Sequence, residues 1–410
     1  MSFTTRALIV LTSLNVLDYL DRYLVASLGS LVKAEMGLSD RAFGFLGTAF
    51  FLVYLCASPI FGYLGDRWGR LRLMAGGAVL WSLATSLTFW VGSYPALVLA
   101  RGVVGVGEAS FGTLSPAYLA DILPLGRRGR ALGWFYLAIP VGSALAYLVG
   151  GLMGSHWGWR PAFLLAGLPG LAMAALVWRL PGIQPQAAAP TPPAAIPLLG
   201  ASWGLLKIPT FRWVSLGYGM VTFALGGLAF WMPHYLEVDK GLSLARANLL
   251  LFGSVAVAGA LGTLSGGFLA DRFMTRTLKA PLWVSGLGIT LGLPLAALAI
   301  FSPVPGLYVP ALALAIFLLF MNQGVLTAVI VSVAGARRRA QAVALNIVVI
   351  HLLGDVPSPF LIGWISDLYS LKWGVSLTLV ALAAGAVLIF TAMSHLPADL
   401  AAAGELEGHG

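Results

Sequence analysis

Ionisable side chains are scarce in this sequence, and the informative ones stand where they should cost most. Asp18, Asp21 and Arg22, then Arg101 and Glu108, then His351 and Asp355 interrupt long apolar stretches. An ionisable group inside such a stretch marks a function by default. Carboxylates, guanidiniums and an imidazole can pass on a proton there, or hold the anionic group of a solute. Spacing sorts them. Asp18 and Arg22 are four apart, as are His351 and Asp355, so each pair shares a helix face. Asp21 adjoins Arg22 and crowds the same side. Arg101 and Glu108 face the same way, two turns and roughly 10 Å apart along a helix. Glu108 has no cation one turn away, and it follows Gly102, Gly105 and Gly107. Small residues let a second helix approach closely, and a carboxyl enclosed in that way is expected to hold a proton at neutral pH. The expected device is a switch. With Glu108 neutral, Arg101 is free for an anionic substrate; with Glu108 charged, the two engage each other. His351 would add a second titrating group. The bland alternative is a set of buried ion pairs that keep helices in register, and for His351 a neutral core histidine.

The elements that position these groups must be membrane helices. Apolar residues make up 59% of the 410 positions and charged ones 10%, against roughly 25% charged in an ordinary soluble domain. A span needs about 20 mostly apolar residues. Such runs cover 7–30, 42–64, 72–93, 96–120, 131–153, 161–180, 212–236, 245–270, 280–301, 307–333, 340–366 and 373–395. They lack the polar–apolar alternation of barrel strands, so the predicted class is all-α, with twelve spans in two six-helix bundles.

The net charge of +9 does not indicate nucleic acid, because the basic residues sit in the loops. Sixteen of the 24 Lys and Arg fall on one side and six on the other, and the last two are Arg22 and Arg101. The positive-inside rule then places both termini in the cytoplasm. Arg6 before an apolar run resembles a signal peptide, but no small-residue cleavage site follows, and a retained first span is expected. The single Cys56 permits no internal disulfide.

Residues 181–211 break the apolar pattern with Pro181, Pro185, Pro190, Pro192, Pro193 and Pro197 among alanines. They are expected to form a cytoplasmic linker between an N-terminal bundle (1–180) and a C-terminal bundle (212–396), with a tail over 397–410. The halves repeat. Gly62-Tyr-Leu-Gly-Asp66-Arg67 ends the second span and Gly267-Phe-Leu-Ala-Asp271-Arg272 the eighth, an offset of 271 − 66 = 205. Arg127, Arg128 and Arg130 after span four correspond to Arg337, Arg338 and Arg339 after span ten. Duplicated halves place a substrate site at their interface and allow alternating access by rocking.

The run from Gly62 through Asp66, Arg67 and Arg70 to Arg72 resembles the signature loop of the major facilitator superfamily. That resemblance implies the fold and a conformational latch at Asp66, Arg67, Arg70, Asp271 and Arg272. Asp21-Arg22-Tyr23, the stretch Arg101-Gly-Val-Val-Gly-Val-Gly-Glu108-Ala-Ser-Phe111, and His351-Leu-Leu-Gly-Asp355 with Ser358-Pro359 and Leu361-Ile-Gly363 are together similar to the spinster family. The resemblance implies a bacterial member that moves lysolipids or sphingosine phosphate, coupled to protons. By position, Asp21 and Glu108 would be the protonation pair. Arg22 and Arg101, with Asp18, His351 and Asp355, would supply charge partners or headgroup contacts.

Tyr19, Phe111, Trp134, Phe223, Trp231, Asn322 and Asn346 are candidates for pocket lining, although aromatics at such depths more often serve packing. No enzyme motif, metal-ligand spacing or nucleotide-binding loop appears. The expectation is no catalytic activity, no cofactor, no metal, and a monomer whose partners are an amphiphilic substrate, protons and membrane lipid. The competing readings are a multidrug or organic-anion exporter and a non-transporting receptor or scaffold. Arg101 favours an anionic or zwitterionic cargo over a cationic drug.

Overall fold

The computed structural model describes residues 2–123, 125–181, 204–335 and 338–404, without the side chains of 66, 120, 125–130, 323 and 340. The linker from 182 to 203, the end of the tail, the Asp66 side chain and the Arg127, Arg128, Arg130 and Arg337 side chains lie outside the described residues.

The first half is helical throughout. It comprises α1 (Phe3–Ser27), α2 (Gly29–Met36), α3 (Asp40–Trp68), α4 (Arg70–Leu87), α5 (Tyr94–Ile122), α6 (Leu125–Tyr136), α7 (Ala138–Trp157) and α8 (Trp159–Trp178). The second half begins with α9 (Pro209–Val238) and α10 (Leu244–Gly253). It continues with α11 (Ala260–Met274), α12 (Ala280–Phe301), α13 (Pro305–Phe320), α14 (Gln323–Ala334), α15 (Arg339–Ile350), α16 (Pro357–Leu368), α17 (Leu371–Ala392) and α18 (Leu396–Ala402). Eleven stretches among the described residues are long and apolar enough to cross a membrane. The 25-residue α1, which carries Asp18, Asp21 and Arg22, lies outside that set, as do the short α2 and α18.

Several expected spans are interrupted for local reasons. The fifth breaks at Leu137, between α6 and α7, because Pro140 has no N–H for the carbonyl four residues back. The eleventh contains a π-helical turn over His351–Asp355. There the Val356 N–H reaches the His351 carbonyl at 3.0 Å. Ser39 starts α3 by accepting from the Ala42 N–H at 3.2 Å, which satisfies one of the free donors of a helix N-terminus.

The helices form two compact units, and neither is one continuous stretch. The first contains α1–α8 together with Ala229–Ala256 and Pro359–Leu371; the second contains the start of α9 through Leu228, Val257–Ser358 and the chain from Lys372 onward. Trp81, Trp159, Trp231, Tyr147, Phe43 and Phe50 fill the core of the first, and Phe211, Leu282, Ile289 and Leu326 belong to that of the second. Leu99, Leu264, Phe268 and Leu291 are exposed, as suits side chains facing hydrocarbon.

In the first unit, two glycines of α5 set the packing. A Cβ on Gly105 would lie 2.7 Å from the Phe50 carbonyl oxygen of α3, and one on Gly107 would lie 2.6 Å from the Gly77 oxygen of α4. Backbones this close bring the Glu108 turn tightly against both neighbours. Gly105→Ala should therefore destabilise by about 1–3 kcal/mol through overpacking. Gly76→Ala, with nothing within 4 Å, should instead gain up to about 1 kcal/mol of helix propensity. Thermal melts of the two variants in detergent should shift in opposite directions.

Candidate functional site

The first unit buries five ionisable groups together. Exposure is 2% at Asp18, 2% at Asp21, 7% at Arg22, 2% at Arg101 and 0% at Glu108. At their centre is the Arg22 guanidinium. Its Nη2 donates to Asp18 Oδ2 at 2.9 Å, the contact expected from their four-residue spacing. Nε and Nη2 also donate to Glu108 Oε2, at 3.0 and 2.9 Å. The cation that serves Glu108 thus comes from α1.

This differs from the expected Arg101–Glu108 engagement. Arg101 Nη2 turns to the Arg22 carbonyl at 3.4 Å, and its guanidinium lies 4.7 Å from the Phe50 ring centroid. Arg101 Nε, Asp18 Oδ1, Asp21 Oδ1 and Glu108 Oε1 are buried with no hydrogen-bond partner among the described residues. The second oxygen of Asp21 accepts from the Thr85 hydroxyl on α4.

Aromatic faces complete the surround. The Arg22 guanidinium carbon is 4.5 Å from the Tyr19 ring centroid, 5.2 Å from that of Tyr54 and 5.3 Å from that of Phe50. Such faces attract a cation, and they hold the guanidinium in place independently of the carboxylates. Three acids and two guanidiniums make an odd set. With all five ionised, the cluster carries one excess negative charge, and one bound proton makes it neutral. An uncompensated charge away from water is costly.

A family model described as Major Facilitator Superfamily matches residues 11–359. Protein spinster homolog 1 of Xenopus tropicalis is 34% identical over 383 residues, 88% of this chain and 72% of that protein. The sphingosine-1-phosphate transporter SPNS2 of Danio rerio is 33% identical over 377 residues, covering 86% of this chain and 74% of its own. The chain belongs to the major facilitator superfamily and, within it, to the spinster family. It is an integral membrane transporter.

At the level of fold, a bacterial homologue of the human lysosomal transporter spinster, in an inward-facing and unoccupied conformation, superposes with a TM-score of 0.85 at 22% identity. That match covers 97% of this chain and 98% of the other. A D-xylose–proton symporter superposes at 0.71 with 19% identity, covering 93% and 97%.

The remaining residues singled out in this spinster chain divide between the units. In the second unit, His351 Nδ1 lies 2.7 Å from Asp355 Oδ2 within the π turn, and Gly226 of α9 leaves room for Asp355 Oδ1. Asn322 and Asn346 are buried, each with a carbonyl oxygen lacking a partner among the described residues. Phe223 is buried there as well.

In the first unit, Phe111 packs between Trp81 and Phe135, at centroid distances of 5.7 and 6.2 Å. Trp231 is wholly buried and donates to the Pro359 carbonyl at 3.0 Å, whereas Trp134 is exposed. Of the latch residues, Arg67 lies 4.4 Å over the Tyr63 ring, and Arg70 forms an ion pair with Asp121 of α5. Asp271 and Arg272 are exposed near the end of α11.

Sequence reasoning missed Thr85, Tyr54, Phe50 and Asp121, which carry no signal beyond their types. It also missed His234, a buried histidine in a predicted span.

Removing the shared cation exposes what it supports. Arg22→Met should destabilise the protein by about 3–5 kcal/mol, since buried carboxylates lose their partner. Adding Glu108→Gln should recover part of that loss. A double-mutant cycle by chemical unfolding in micelles reads the coupling.

Proposed function

We propose that this chain is a proton-coupled secondary transporter of amphiphilic lipids with an anionic or zwitterionic headgroup, of the lysophospholipid or sphingosine-phosphate kind, working by alternating access. The observation that carries the reading is the buried cluster of three carboxyl groups with two guanidiniums. The 33% identity to a protein named sphingosine-1-phosphate transporter supports the substrate class.

In this reading Glu108 and Asp21 take up the proton. A proton on Glu108 weakens its hold on Arg22, and Arg22 and Arg101 then become available to a phosphate-bearing headgroup. Arg101 starts with a buried, unpartnered Nε, which gives it a free donor for such a group. His351 and Asp355 supply a polar pair from the second unit. Tyr19, Asn322, Asn346 and Phe223 contribute walls to the substrate path.

Asp66, Arg67 and Arg70, with Asp271 and Arg272, latch helix ends in one access state; the Arg70–Asp121 pair holds two helix ends of the first half together. The functional halves are 1–180 and 212–396, joined by the cytoplasmic linker 181–211 and followed by the tail 397–410. The protein works as a monomer in a bacterial inner membrane with both termini in the cytoplasm, as its loop charges favour.

Proteoliposomes loaded with lysophospholipid or sphingosine phosphate provide the test. Wild type should move lipid in response to a pH gradient. Glu108→Gln should lose that response while retaining lipid binding, seen as a ligand-induced thermal shift. Arg101→Ala should lose anionic lipids before neutral amphiphiles. Full pH-dependent flux in Glu108→Gln would refute the scheme.

A further inference from the structure

A second ionisable cluster joins the ends of α2, α3, α9 and α16 in the first unit, and it shares no residue with the first. Lys33 of α2 forms an ion pair with Asp40 of α3. The same ammonium lies 2.7 Å from Nε2 of His234 on α9, and that nitrogen is 3.8 Å from Asp40 Oδ1. The other Asp40 oxygen accepts from the Ser366 hydroxyl of α16. Next along α16, the two oxygens of Asp367 take the N–H groups of Asp40 and Arg41 at 2.8 and 3.0 Å. On α9, one turn beyond His234, Glu237 accepts from Ser30 of α2 at 2.8 Å. Each bond ties one helix end to another.

The helices are in backbone contact at this joint. A Cβ on Gly44 of α3 would collide with the Pro359 carbonyl of α16, and one on Gly363 with the Asp40 carbonyl. Little packing can readjust here, so polar bonds decide whether the ends stay together.

His234 is the sensitive member. It is 7% exposed. A charged ammonium can only donate, so a ring nitrogen 2.7 Å from it must accept. That leaves the ring hydrogen on Nδ1, which has no partner among the described residues. A second proton, on Nε2, removes the acceptor and sets two cations against each other. Asp40 Oδ1, which already takes Lys33, lies 3.8 Å from Nε2, too far for a hydrogen bond unless the helix ends shift. Glu237 accepts from Ser30 through Oε2 and Asp367 binds the start of α3, and no hydrogen bond or ion pair joins either to His234 among the described residues.

We propose that His234 is a second proton-binding site, and that a proton there releases α9 from the Lys33–Asp40 pair and loosens this joint. The inference rests on the transporter reading only for what the loosening serves, which is opening this end of the path.

Hydrogen exchange of the full-length protein in lipid nanodiscs tests it, at about pH 5 and about pH 8, the limits between which imidazole changes charge. After correction for intrinsic rates, peptides spanning 29–43 and 229–241 should exchange at least threefold faster at the acid limit. His234→Gln keeps an acceptor for Lys33 but does not titrate, so its exchange should not change with pH. A flat wild type, or acid loosening of equal size in His234→Gln, overturns the proposal. Imidazole nitrogen NMR gives a readout independent of how well that variant folds. The resonance absent from His234→Gln must move toward the protonated form in wild type as exchange accelerates on acidification; if it stays neutral there, the proposal fails. The loosening should also survive in Glu108→Gln, and its loss there would overturn the claim of a separate site. Failed transport in that variant bears on the proposed function alone.

Discussion

A single guanidinium carries the interior of the first unit. Arg22 reaches one carboxylate on its own helix and another on α5, and it does so with almost no access to water. A charge in that setting survives only when its partners are fixed, because the cost of desolvation is recovered through geometry. The glycines of α5 exist in this context. Without the close approach at Gly105 and Gly107, Glu108 could not be held against α1 from a neighbouring helix. The aromatic faces of Tyr19, Phe50 and Tyr54 supply an attraction to the guanidinium that does not depend on its carboxylate partners.

Ionisable groups are distributed unevenly between the units. The first holds Asp18, Asp21, Arg22, Arg101 and Glu108, together with the Lys33–Asp40–His234 group. The second contributes chiefly His351 and Asp355, set in a π turn, a feature that recurs at functional positions. The repeat seen in the loop motifs does not extend to these buried charges, and His234 reaches the first unit from the second half of the chain. The rocking ascribed to the fold needs two similar halves, but proton binding needs only one of them to carry buried charge.

Much of this was legible before any coordinates. The apolar runs located the helices, and the four-residue spacings located Asp18–Arg22 and His351–Asp355, because both signals are local to one helix. The glycines ahead of Glu108 announced a close approach. What escaped were contacts between residues far apart in sequence. Arg22 and Glu108 are separated by 86 positions, and no periodicity encodes that pairing; spacing points only to Arg101 on the same helix, and Arg22 enters as a charge partner through the family resemblance alone. Thr85 is an ordinary span residue until Asp21 is placed beside it. Lys33 and Asp40 look like loop residues until α9 and α16 bring His234, Ser366 and Asp367 to them.

One smaller feature ties two distant positions together. Pro233 lies inside α9 and has no N–H, so the carbonyl of Ala229, four residues back, loses its usual donor. The Tyr147 hydroxyl of α7 fills the gap at 2.8 Å. Neither residue explains itself alone. A Pro233 replacement that restored the helical bond would compete with the tyrosine for its acceptor, and losing the tyrosine would orphan the carbonyl. The two positions are coupled through one carbonyl oxygen. Among relatives of this chain, substitutions at 147 and 233 should be found together far more often than apart.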